Sequence, residues 1–254
     1  MDLRDNLQWY WDLSSADASI VDQHNGLSLG RIGTTTTSAT GGPDGGPCIN
    51  FGAAAGKYRN ASVAKIVSYD DGFTVNIWVR STGTGGAGNW LINHRGDGGV
   101  SRYLQLIARN PFDGGTDRSI IWDEALSIRR AFSARESENV WQMLTMVDDG
   151  NNNLSIFRNA VLLDVNTTTE TFGDRATGNA PFAIGGHAWS AGIGSLEHQG
   201  QLAMAGVWNG PLTQSQITAL FNDNKGRRYG DLVIATGNPT ANLHNTIRSM
   251  RHAL

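Results

Sequence analysis

The stretch Gln199–Asn222, QGQLAMAGVWNGPLTQSQITALFN, changes its period halfway. Leu202–Trp208 alternates in the manner of a strand, Asn209-Gly210-Pro211 turns the chain, and the remainder has a helical spacing. Thr213 and Gln216 stand three apart, as in a capping box, and Ile217, Leu220 and Phe221 share one helical face. Gly226 is read as the helix stop. Almost everything else lacks helical periodicity. With 32 glycines and 6 prolines in 254 residues, the chain suits short strands joined by tight turns, because interior glycine costs a helix about 1 kcal/mol relative to alanine. A chain of this length buries enough surface to fold without cross-links.

Several other segments read as strands. Leu7–Leu13 (LQWYWDL) is rich in aromatics. Phe73–Arg80 (FTVNIWVR) alternates, with Phe73, Val75, Ile77 and Val79 on one face. Trp90–His94, Tyr103–Ala108, Ser119–Trp122, Ala125–Ile128, Val140–Val147, Leu154–Phe157 and Phe182–Gly185 are strand-like. Asp148–Asn153 reads as a hairpin loop, and Phe157–Val161 as a second tight turn. Gly33–Pro47 and Val165–Ala180 read as polar loops.

In order and spacing, four of these segments resemble the laminin-G-like, concanavalin A-like jelly-roll family. They are LQWYWDL with the Asp-containing turn VDQHNG, FTVNIWVR, VWQMLTMVDDGNNNLSIFRNAVLL, and FAIGG with GQLAMAGVWNGPLTQSQITALF. The resemblance covers about Leu7 to Phe221. It implies an all-β, two-sheet antiparallel sandwich over residues 1–230, followed by a partly helical arm over 231–254. Two departures bear on function. Ala203 and Met204 stand where the family carries an acidic pair, which lowers the expectation of an inherited metal site. Ala160 replaces the glycine of an Asn-Gly turn, so that turn is expected to be strained or of another type.

Catalytic signatures are missing. Jelly-roll glycosidases of related type place alternate carboxylates on one strand face, about 5 Å apart in retaining enzymes. Asp123-Glu124 are adjacent instead. No metal-ligand spacing, nucleophile elbow or phosphate loop is present. Glu197-His198 reads as a solvated surface pair, and Arg95-Gly96-Asp97 as a turn. No cofactor is expected; calcium is the one ion that oxygen-rich loops could hold, with Asp97, Asp113 and Asp117 as candidates. Charge is near balance, at a formal −3, so neither nucleic acid nor a membrane is an expected partner. Cys48 stands alone, so no intrachain disulfide is expected.

Saccharide binding would need exposed rings. Trp90, Trp122 and Trp189 lie beside loops, with His94 and His187 nearby, and are either such platforms or buried. Trp9, Trp78, Trp141 and Trp208 are read as core. In the arm, Leu243, Ile247, Met250 and Leu254 recur at helical spacing. That narrow stripe packs either on the same domain or on a partner. The N-terminus carries no secretory pattern. The resulting expectation is a non-enzymatic phage virion protein, a capsid decoration or a head or tail appendage. It would be made in the host cytoplasm, be oligomeric on the particle, dock to other virion proteins through its arm, and offer loops to surface glycans. The alternatives are a free lectin-like carbohydrate-binding protein and, further off, a glycoside hydrolase.

Overall fold

A computed structural model describes residues 2–52, 56–64, 71–82, 90–95, 102–108, 119–124, 128–135, 137–151, 153–167, 179–188, 191–192 and 197–233; for 95, 102–104, 119–124, 128–135, 166 and 167 it describes the backbone alone. The strands are β1 (Leu7–Trp11), β2 (Ser19–Val21), β3 (Ser28–Gly33), β4 (Thr36–Ser38), β5 (Cys48–Asn50), β6 (Gly56–Val63), β7 (Phe73–Ser81), β8 (Trp90–Arg95), β9 (Arg102–Ile107), β10 (Ser119–Glu124), β11 (Ile128–Arg135), β12 (Gln142–Asp148), β13 (Asn153–Arg158), β14 (Val161–Thr167), β15 (Ala180–Ile184) and β16 (Gly200–Trp208). Among the described residues the one α-helix, α1, spans Gln214–Phe221.

The strands form two antiparallel sheets. The first runs β14-β13-β12-β7-β16-β5-β4, with β1 also paired to β16. The second runs β11-β10-β9-β8-β15-β6-β3-β2. This is the two-sheet jelly-roll sandwich that the sequence implies. The inter-sheet core takes Phe73, Val75, Ile77 and Val79 from β7 and meets Phe182, Ile184, Leu106 and Ile92 from the other sheet. Trp9 and Trp11 pack on Phe182 inside it, at ring centroid separations of 5.2 and 5.5 Å.

The first sheet is buried on its other face as well. Trp78, Met143, Ala203, Met204, Ile217 and Leu220 form a second cluster there. Trp78 stacks on Phe221 of α1, with centroids 5.8 Å apart and planes 7° apart. β7 is therefore buried from Phe73 to Val79 on both sides. Trp208 donates its indole N–H to Leu3 O at 2.7 Å, and Leu3 N donates to Leu232 O at 3.0 Å. The residues just after α1 thus return to the start of the chain. Trp9, Trp78 and Trp208 are core, as read from sequence; Trp141 is half-buried, its indole N–H on Gly41 O.

The capping box is present. Thr213 Oγ1 accepts from Gln216 N, and Gln216 Oε1 accepts from Thr213 N at 2.8 Å. Asn222 in the left-handed conformation ends the helix, rather than Gly226. Gly226 has another reason to be glycine. Its φ is +70°, and a Cβ there would lie 2.7 Å from both Met204 Cε and Trp78 Nε1.

Other boundaries differ from the sequence reading. β4 lies inside the stretch read as the Gly33–Pro47 loop, and β14 continues to Thr167 through the start of the second one. β2, β3, β5 and β6 have no sequence counterpart, because short, glycine-bearing or polar strands carry little periodicity. Of the segment read as Ala125–Ile128, residues 125–127 lie outside the described residues, and β11 begins at Ile128. The Asp22 turn is as expected: its buried carboxylate accepts from the backbone N–H groups of Tyr10, His24 and Asn25 at 2.6–3.0 Å. In the β13–β14 hairpin, Asn159 and Ala160 both have positive φ, 52° and 62°. This is the geometry that Asn-Gly favours, here imposed on alanine.

An alanine at φ +62° is strained by roughly 1 kcal/mol. Ala160→Gly should raise stability by about 0.5–1 kcal/mol, visible as a higher urea midpoint with an unchanged slope; a lower midpoint would contradict the strain.

Candidate functional site

Gly185 ends β15 at φ +80°, where a Cβ would lie 2.2 Å from the Phe51 ring. Its carbonyl accepts from the His198 N–H at 2.8 Å. His187, Ala188 and Glu197 are tied to the second sheet by polar groups. Lys57 on β6 donates to His187 O at 2.9 Å and approaches Glu197 Oε1 at 3.4 Å. His187 Nδ1 lies 3.3 Å from the same oxygen. Arg59 Nε donates to Ala188 O at 2.6 Å, and Ala188 N donates to Asn93 Oδ1 at 2.9 Å. Asn93 Nδ2 donates to Gln105 Oε1 across β8 and β9 at 3.1 Å.

The side chains of Lys57 and Glu197 are 0% and 1% exposed. Burial pushes the Lys57 ammonium below its usual range, against the opposing pull of the Glu197 charge. A carboxylate and an ammonium sealed together make a clamp: neither reaches solvent to exchange a proton with a substrate.

The residues singled out from sequence fall into different places. Trp90 is 1% exposed, and its backbone forms a parallel bridge with Glu197. Trp90 and His187 therefore meet at the clamp, where His187 is 5% exposed. His94 belongs to the interior: its ring packs edge-on to Phe182 at 5.7 Å, with Nε2 3.2 Å from Val63 O. Trp90 and His94 thus offer no open ring face to a sugar. Trp122 is on β10, in register with Leu106 and Arg130; its side chain lies outside the described residues, as does all of Trp189. So do Gly96 and Asp97 of the Arg-Gly-Asp tripeptide, the calcium candidates Asp97, Asp113 and Asp117, and the arm residues Leu243, Ile247, Met250 and Leu254. Among the described residues no three His, Cys, Asp or Glu side chains converge on one point, and no helix is long and apolar enough to cross a membrane.

Glu197 and His198 are not a solvated pair. They are 3% and 0% exposed, and His198 packs edge-on to Phe51 at 6.0 Å. Sequence reasoning missed Lys57, because a lone lysine on an unrecognised strand reads as surface.

An open concavity lies elsewhere. Between β1 and β2, as the chain crosses from one sheet to the other, Trp11, Leu13, Ser14, Ser15, Asp17 and Ser19 line a cavity of about 200 Å³.

With this geometry in hand, the comparisons are informative. The protein-family model described as "Concanavalin A-like lectin/glucanases superfamily" (a laminin G type) matches residues 54–218. The chain belongs to that superfamily. No curated protein matches it. Among solved structures it resembles domain 4 of AbnA, an extracellular GH43 arabinanase from Geobacillus stearothermophilus, solved with arabinotriose. The TM-score is 0.63 at 18% identity, over 84% of this chain and 97% of that one. It also resembles a botulinum neurotoxin type C structure concerned with two ganglioside molecules, with TM-score 0.62, 12% identity and coverage of 87% of this chain and 52% of that one. A third is the binding domain of Paraclostridial Mosquitocidal Protein 1, with TM-score 0.61, 18% identity and coverage of 87% and 53%. The chain thus spans about half the length of those two toxin structures.

Removing one partner of the clamp strands a buried charge. Lys57→Met should cost about 3–5 kcal/mol, and the double change Lys57→Met/Glu197→Gln should recover a large part of it. A double-mutant cycle in urea checks this; additive losses would mean that the two groups do not act as a pair.

Burial lowers His94 to about 4 and His198 to about 3, from an ordinary 6.5. The unfolded chain therefore binds these protons first. Their stabilising effect is full above pH 6.5 and drains as pH falls toward 4 and then 3. His94→Gln should flatten the fall in unfolding free energy between pH 6.5 and 4 by roughly 3 kcal/mol; an unchanged slope would show that His94 is not held neutral.

Proposed function

We propose that this protein is a non-enzymatic recognition module that attaches to saccharides, and that its setting is a phage particle. The observation that carries the non-enzymatic part is the use made of the buried acids among the described residues. Asp22 caps the turn after β2, Glu197 is clamped by Lys57, and Asp148 Oδ1 accepts from Gly150 N at 2.9 Å. Each is engaged in holding backbone or a cation, and none faces a second carboxylate across a cleft, the arrangement glycoside hydrolysis requires. Saccharide attachment is supported by membership of the superfamily and by the setting of its structural neighbours. One was solved with arabinotriose, and one is the binding domain of a mosquitocidal protein. Fold likeness at this identity supports a class of behaviour and no particular ligand.

The particle setting is supported by the terminal segments. Asp2 and Val233 form an antiparallel bridge, so residue 2 and the start of the 231–254 arm lie side by side, as suits a single attachment face. The arm, with Leu243, Ile247, Met250 and Leu254 on one stripe, is the proposed docking element toward other virion proteins.

An array of oligosaccharides, read with calcium and with chelator, tests attachment. Retention on a defined subset, with no release of reducing sugar from the same oligosaccharides, is the expected result; measurable hydrolysis would overturn the non-enzymatic reading. Deleting residues 237–254 should abolish incorporation into particles, as read by mass spectrometry of purified virions, while leaving array binding intact.

A further inference from the structure

The cavity between β1 and β2 has the makings of a ligand site. Its rim is polar and unspent. The hydroxyls of Ser14, Ser15 and Ser19 and the carboxylate of Asp17 line it, and none of them hydrogen-bonds to a described residue. Its wall is apolar: Trp11, Leu13 and Ile20 are buried side chains that also border it. Trp11 has Phe182 stacked on it. Its indole N–H is enclosed behind that wall, with no hydrogen-bond partner among the described residues.

The rim is also held in place. Ala16 N donates to Thr37 Oγ1 at 2.8 Å, Arg31 Nη1 donates to Ala16 O at 2.7 Å, and Tyr58 Oη donates to Asp17 O at 3.1 Å. On the near side, Arg228 Nη1 donates to Asp12 O at 2.9 Å and Met204 N to the same oxygen at 3.2 Å. Leu13, between them, sits at φ 51°, a conformation that a bulky side chain adopts only where its surroundings enforce it. A ligand entering here would not have to order the loop, and that cost is a large part of what weak binders lose.

Size and charge narrow the ligand. About 200 Å³ is below the roughly 300–1,000 Å³ of pockets for drug-sized molecules, so one ring fits and a polymer chain does not lie through it. The lining carries one carboxylate and no cation. Asp17 would accept hydrogen bonds from sugar hydroxyls and repel a sugar acid. We propose that this cavity binds a single neutral sugar residue at the end of a glycan, gripped by Asp17 and the three serine hydroxyls against the Trp11 wall. The proposal rests on the saccharide-attachment reading above and gives it a place.

The test is a titration of the full chain, followed by nuclear magnetic resonance. The probes are the methyl glycosides of galactose, glucose, mannose, N-acetylglucosamine and arabinose, with sialic acid as the charged control. At least one neutral glycoside should shift the amides of residues 13–20 and the Trp11 indole N–H, and sialic acid should not. Asp17→Ala, at an exposed position, and Ser15→Tyr, which fills the cavity, should each weaken binding at least tenfold with an unchanged circular dichroism spectrum. Binding whose shifts map elsewhere, or that survives both substitutions, would overturn this site while leaving saccharide attachment standing. Failure of every neutral glycoside, together with an empty oligosaccharide array, would overturn attachment itself.

Discussion

A strand buries one face in a sandwich and ordinarily shows the other to water, yet β7 is buried along both. Its inward residues, Phe73, Val75, Ile77 and Val79, supply the middle of the inter-sheet core. Its outward Trp78 is as deeply buried, and the remaining architecture follows from the need to cover it. Eight residues of helix are too few to persist alone in water. α1 exists because Phe221 lies flat on Trp78 and because Ile217 and Leu220 are buried in the same layer; side chains of this size are worth about 1.5–3 kcal/mol each when fully buried. The bulge in β16 belongs to the same arrangement. The register shifts between Ala203 and Gly206, with Met204 at positive φ, so Ala203 and Met204 both enter the outer layer. Small and flexible apolar groups at these two positions permit a closeness to the helix that an acidic pair would not.

The same demand explains why the sequence is legible here and opaque elsewhere. The central strands β7, β12 and β16 and the helix after Pro211 are long, apolar and strongly periodic, so pattern alone finds them. The rim strands β2, β4 and β5 are three residues each, too short for a period to show. β6 (GKYRNASV) hides for another reason: its outward positions are Lys57 and Arg59, which read as loop until the segment that covers them is known. Lys57 and Glu197 are 140 residues apart. No local pattern predicts that two charges so separated will be sealed together, and the polarity that disguises them is the property that makes their pairing obligatory once buried.

The aromatic residues show a similar limit. Composition marks tryptophan as the natural sugar platform and, equally, as the natural core residue. Which role prevails depends on what stands opposite, and that is a tertiary fact. Trp90 lies beside glycine-rich stretches in the sequence, yet its backbone pairs with Glu197 and it is enclosed. Trp11 is part of a strand read as rich in aromatics, of which only Trp9 is assigned to the core from sequence; Trp11 is core too, but it also borders the open cavity at the crossing between sheets. The signal that could have directed attention there is the run Leu13-Ser14-Ser15-Ala16-Asp17, small and polar immediately after a strand of large rings.

These two regions divide the labour of the second sheet. Over its middle, His187, Ala188 and Glu197 are held by Lys57 and Arg59 through buried charge and two backbone carbonyls, which stiffens the sandwich there. At its edge, beside β2, the connecting loop is also held, but through the backbone of Asp12, Ala16 and Asp17 rather than through the serine hydroxyls or the Asp17 carboxylate. Rigidity without occupation is the property a weak-ligand site needs: polar groups fixed in place, their hydrogen-bonding capacity still open. A sandwich built this way can place recognition on a rim loop without loosening its core, because the loop's backbone is anchored in both sheets, to Arg31 and Tyr58 in one and to Thr37 and Met204 in the other.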